Sequence, residues 1–139
     1  MTAAHGLLLC LIALCLTACD ATRNIVLENA STQTVLAGRY RFTDTGYDSI
    51  DVVSVPAGGR VQIGRAGPAG DALLKRVVLM DADCAIFADE DLSDGRHPDA
   101  ILITVDADLV IDVADRSEVD AGSPPDVTDQ CQAEVEDVP

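Results

Sequence analysis

Two patterns of apolar and polar positions divide the chain. Residues 7–16 read LLLCLIALCL without a polar interruption. After Asp20 the run gives way to short segments in which apolar and polar residues alternate. A period of two over four to eight residues is the mark of a half-buried β-strand. Such segments lie at 24–28, 34–42, 50–55, 60–64, 73–80, 84–88, 100–105 and 109–113. In the last of these Leu109, Ile111 and Val113 share one face, with Val110 and Asp112 on the other. Breakers separate the segments: Ala30-Ser31-Thr32, Pro56-Ala57-Gly58-Gly59, Gly64 to Pro68, and Asp94-Gly95. Asp106-Ala107 fits a tight turn joining the last two strands as a hairpin. No segment past residue 20 keeps a helical period over twelve residues, and no internal repeat is evident. Eight short strands at this spacing predict an all-β fold: a small antiparallel β-sandwich of immunoglobulin-like size, with a small open barrel as the alternative.

The apolar run at the start is too short for a spanning helix, which needs about 20 residues, and has the length of a signal-peptide core. An ordinary signal-peptidase site asks for small residues at −3 and −1. A cut before Cys19 would put Ala18 at −1 but Leu16 at −3. Leu16-Thr17-Ala18-Cys19 instead resembles the lipobox of bacterial lipoproteins, in which an aliphatic, a small polar and a small residue precede a cysteine. The resemblance covers four residues and the run before them. It implies a signal peptide over 1–18, a diacylglyceryl thioether on Cys19, cleavage between Ala18 and Cys19, and acylation of the new amine. Met1 to Gly6 departs from the usual signal by lacking Lys and Arg. Two or three acyl chains, at about 0.8 kcal/mol per buried methylene, anchor a protein stably where one does not. Asp20 follows the cysteine at a position that in some envelopes retains a lipoprotein in the inner membrane, so the membrane stays open. Residues 19–23 would be a short lipidated tether and 24–114 the sandwich, whose opening strands look like those of many small exported β-sandwich modules.

Cysteine usage follows the same division. Cys10 and Cys15 lie in the apolar run and Cys19 in the lipobox, which leaves Cys84 and Cys131. An even pair in an oxidising compartment predicts a disulfide. Residues 115–139 are acidic, contain Gly122-Ser123-Pro124-Pro125 and have few large apolar side chains. They read as a mobile tail tied down at Cys131.

Composition narrows the function. There are 24 acidic and 9 basic residues, a net charge of −15. Phosphate backbones would repel such a surface, so nucleic acid is not an expected partner. Aromatic residues make up 3% of the chain and Trp is missing, too few rings for stacking platforms. No serine lies in a G-x-S-x-G or S-x-x-K frame, and His97 is the only histidine beyond the apolar run. Calcium, a hard ion needing six to eight oxygens, is the cofactor to weigh. Asp89, Asp91 and Ser93 have the 1, 3, 5 spacing of a calcium loop, but Asp94 stands where the loop glycine belongs and Ala100 where the bidentate Glu belongs. The expectation is a non-enzymatic, lipid-anchored envelope protein that binds another envelope protein or serves as an accessory subunit. A calcium-binding module using Asp89, Asp91, Ser93 and Asp94 is the alternative, and an envelope hydrolase the third reading.

Overall fold

The computed structural model describes residues 23–43, 46–66, 73–92 and 100–139. The proposed signal peptide, Cys19, Ser93, Asp94 and His97 lie outside them. Among the described residues nine strands form two sheets. They are β1 (Arg23–Asn29), β2 (Val35–Thr43), β3 (Gly46–Val55), β4 (Arg60–Ala66), β5 (Leu73–Met80), β6 (Ile86–Asp91), β7 (Ala100–Val105), β8 (Ile111–Arg116) and β9 (Val127–Thr128), followed by one short helix, α1 (Gln132–Glu136). Sheet A has the order β4-β1-β7-β8 and sheet B the order β6-β5-β2-β3-β9. The fold is a small β-sandwich. Among the described strands the pairings are antiparallel except that of β1, which runs parallel to β7, with Ile25 opposite Ile101 and Leu27 opposite Ile103.

Alternation places the core. Ile25 and Leu27 of β1, Val35 and Ala37 of β2, Val53 and Val55 of β3, and Ile101, Ile103 and Val105 of β7 all face inward and are fully buried. Stacked sheets stand roughly 10 Å apart, the depth that two layers of such side chains fill. At one end of this core the inward positions turn charged. Arg39 grips Asp51 with Nε and Nη2 at 2.8 and 2.9 Å, Arg41 reaches the same carboxylate at 2.8 Å, and Arg39 Nη1 donates to the Ile63 carbonyl across the sandwich at 2.9 Å. Burial by itself would raise the Asp51 carboxyl, but its hydrogen bonds to the two guanidinium groups and their charge outweigh that and hold it below the usual range. A buried arginine needs this degree of satisfaction to be tolerated.

At the other end the turns are tight. Fully buried Asn29 donates to the Gln33 and Val55 carbonyls and accepts from Ser31, so one side chain knits the β1–β2 and β3–β4 connections. Gly58 takes φ 74° in the Pro56–Gly59 turn, a conformation glycine adopts without penalty. The expected turns at 30–32 and 56–59 are found, and the one expected at Asp106-Ala107 is longer, running through Leu109 before β8 begins.

The segment 115–139 departs from expectation. Its composition predicts a mobile tail, but most of it is built into the fold. β8 extends to Arg116. Gly122 then bridges Val61 on β4, at the opposite edge of sheet A. Val26, between the core-facing Ile25 and Leu27 of β1, is fully buried as well. Next β9 pairs with Val52 and Val53 of β3, and α1 settles on the outer face of sheet B. The segment is poor in large apolar residues, but sheet B supplies the apolar surface and the tail needs to supply very little.

Candidate functional site

The outer face of sheet B is where residues distant in sequence converge. Leu36 and Tyr40 of β2, Val52 of β3, and Val78 and Met80 of β5 form a second apolar cluster with Cys131 and Val135. Gly38 lies between Leu36 and Tyr40 on the same face of β2. A Cβ there would come within 2.7 Å of Val135, so the missing side chain is the seat of α1. The Tyr40 hydroxyl donates to the Val135 carbonyl, and the Arg76 guanidinium stacks 5.1 Å from the Tyr40 ring while Nη1 reaches the Pro139 main-chain oxygen at 2.9 Å. Gln132 donates to the Ile50 carbonyl and Gln130 to that of Ala82, each at 3.0 Å.

The predicted disulfide is present. Cys84 and Cys131 are joined with their Cα atoms 5.4 Å apart, which ties the start of α1 to the β5–β6 turn. Both half-cystines have left-handed backbones, φ 67° at Cys84 and 61° at Cys131, a region that side chains other than those of Gly, Asn and Asp rarely occupy. A carboxylate oxygen of Glu134 lies within 4.8 Å of both sulfurs. With the sulfurs bonded to each other this trio is not a metal-ligand set.

The acidic segment proposed for calcium is only partly described. Asp89 and Asp91 lie on β6, while Ser93 and Asp94 fall outside the described residues. Asp89 is engaged elsewhere: Arg76 Nε and Nη2 bind its two carboxylate oxygens at 2.8 and 2.5 Å. The hydrogen bonds from Arg76 hold the Asp89 carboxyl below the usual range. A carboxylate gripped at both oxygens has little left to offer a cation. Its evident role is to orient Arg76 toward Tyr40 and the C-terminal residues.

A further pair of features escaped the sequence reading. The β5–β6 turn reads Asp81-Ala82-Asp83-Cys84-Ala85 and the β7–β8 turn Asp106-Ala107-Asp108-Leu109-Val110. Each begins with an aspartate whose Oδ1 accepts the amides two and four residues on, at 2.9–3.0 Å. Each has its fourth residue left-handed. This is a three-residue hairpin loop with a bulge, built twice. The recurring Asp-x-Asp was the available signal; five residues are too few to register as a structural repeat.

Among the described residues no helix is long and apolar enough to cross a membrane. Comparison of the chain with known protein families, curated proteins and solved structures finds no match.

Proposed function

We propose that the chain is a lipid-anchored protein of the bacterial envelope whose sandwich is a non-enzymatic binding or accessory module. The observation that carries this reading is the Cys84–Cys131 disulfide, integral to the packing of the C-terminal residues. Disulfides persist in oxidising compartments, the setting to which the resemblance of Leu16–Cys19 to a lipobox points. The geometry adds an orientation. β1 begins at Arg23, four residues after Cys19, so a lipid there would hold one end of the sandwich near the bilayer. The turns at 30–34, 56–59, 81–85 and 106–110 lie at the opposite end. They would face away from the membrane, carrying Asp81, Asp83, Asp106 and Asp108 beside the exposed apolar side chains of Ile86 and Val110. Loop ends held by a rigid scaffold are suited to contacting a partner.

The test is in-cell cross-linking of the tagged protein, detergent extraction and mass spectrometry of what co-purifies, with the mass of the N-terminal peptide read from the same sample. A lipidated Cys19 and a specific envelope partner, both lost in Cys19→Ser, are expected. An unmodified Cys19 would overturn the anchor. A lipidated protein with no partner would overturn the binding role and direct the search to small ligands.

A further inference from the structure

We propose that the C-terminal segment is a redox-gated strap: reduction of Cys84–Cys131 frees residues 127–138 from sheet B while the sandwich beneath stays folded. Four observations converge on this. Helix α1 has five residues, well short of the length at which a helix holds itself together. Its N-cap is left-handed Cys131 with no side-chain hydrogen bond, and its last turn has no basic residue to complement the helix dipole. Strand β9 adds only two residue pairs to β3. The strap's fully buried side chain is a single one, Val135, seated over Gly38. Beyond these contacts and the side-chain hydrogen bonds of Tyr40, Gln130 and Gln132, the cross-link is the strap's covalent tie, and both of its residues sit in a backbone region that costs free energy to occupy. The strands of sheet B, by contrast, pair along their lengths without the strap: β2 with β3 and β5, and β5 with β6.

The reductant required is a protein or small-molecule dithiol. Its thiolate attacks Sγ of half-buried Cys84, the more accessible half, since Cys131 is 6% exposed. A mixed disulfide forms and Cys131 leaves as a thiolate that takes up a proton. The second thiol of the reductant then displaces Cys84, which is protonated in turn. Two electrons and two protons pass to the chain, and the reductant departs as its own disulfide. Departure of the strap uncovers the edge of β3 at Val52 and Val53 together with the apolar face around Leu36, Val78 and Met80. The proposal is independent of whether Cys19 carries lipid.

The experiment is amide hydrogen exchange on the full chain in neutral detergent, oxidised and after native reduction with dithiothreitol, the number of free thiols being counted by alkylation. Amides in 127–138 should lose protection by about a hundredfold or more, with those of β1, β5 and β7 little changed. Cys84→Ser with Cys131→Ser should behave like the reduced protein without any reductant. Three results would overturn the proposal: a strap still protected when both thiols are free, loss of protection in every strand together, or a bridge that dithiothreitol opens only in denaturant.

Discussion

The β5–β6 and β7–β8 hairpins start from one design and end in different employment. Both turn on an Asp-Ala-Asp sequence, both use the first aspartate to hold two backbone amides, and both place their fourth residue at positive φ. In sheet B that fourth residue is Cys84, bonded to Cys131; in sheet A it is Leu109, packed against the inter-sheet core. The turn is thus specified by its aspartate and by loop length, which leaves the left-handed position open to a side chain chosen for distant contacts. One hairpin spends that position on the core. The other uses it to fasten a segment that arrives last in the sequence.

The comparison can be broken in several ways, beginning with the largest effect. Replacing both Cys84 and Cys131 by Ser should lower stability by at most about 4 kcal/mol, the chain-entropy limit for a bridge spanning 47 residues, reduced by whatever the folded chain gains when the strap leaves, as read by guanidinium unfolding. Leu109→Ala should cost clearly less, and equal losses would show that the bridge is no more than a packing contact. Next, Gly38→Ala should cost about 1–3 kcal/mol by pushing against Val135. That cost should nearly vanish in the double-serine chain, because the strap has already left. A cost that persisted would place the damage in β2 itself.

Asp81→Ala and Asp106→Ala each remove two hydrogen bonds to a carboxylate and should each cost about 1–2 kcal/mol. If the turns are independent copies, the double variant should be additive within about 0.5 kcal/mol. A smaller test isolates the backbone: with Cys131→Ser in place, Cys84→Gly should be about 1 kcal/mol more stable than Cys84→Ser, because glycine accepts φ 67° without penalty. Leu109→Gly should gain the same relief and lose packing, ending near no change. The smallest effect is acid sensitivity from the ion pairs. Asp51 and Asp89 are both held below the ordinary carboxylate range when folded. Their contribution is therefore present above about pH 4, the unfolded value, and is lost as pH falls through the folded one. Asp51→Asn should flatten the stability–pH curve below pH 4, and Asp89→Asn should do so less, since its carboxylate is the more exposed of the two.

The strands were legible because alternation is a local property. Leu73–Met80 and Ala100–Val105 fall where the pattern put them, and the others differ by a few residues at their ends. The 84–88 and 109–113 segments start later than the pattern implied because Cys84 and Leu109 belong to the turns. The disulfide followed from counting cysteines. Which strands become neighbours was not legible: nothing in the periodicity of 24–28 says that it pairs in parallel with 101–105. The strap was hidden for a related reason. Val127, Val135 and Val138 are too few to mark a buried segment, yet β5 carries the run Val77-Val78-Leu79-Met80, apolar on both faces. A strand buried on both sides needs a cover on its outer face. That run was the sign that something in the chain must supply one. The seat itself, Gly38, announces nothing, because its role lies in the absence of a side chain.

The position of β1 bears on when the molecule can fold. It is the first of the described strands, yet it lies inside sheet A between β4 and β7, and its parallel partner ends at Val105. Its antiparallel partner β4 ends at Ala66, so β1 has no neighbour close in sequence. A chain delivered N-terminus first can pair β1 on one edge only after about half of its length has emerged, and on the other only after about three-quarters. Closure with so many distant pairings is slow, and an apolar strand left waiting invites aggregation. Among the described strands, β1 is therefore enclosed on both edges only late in the emergence of the chain.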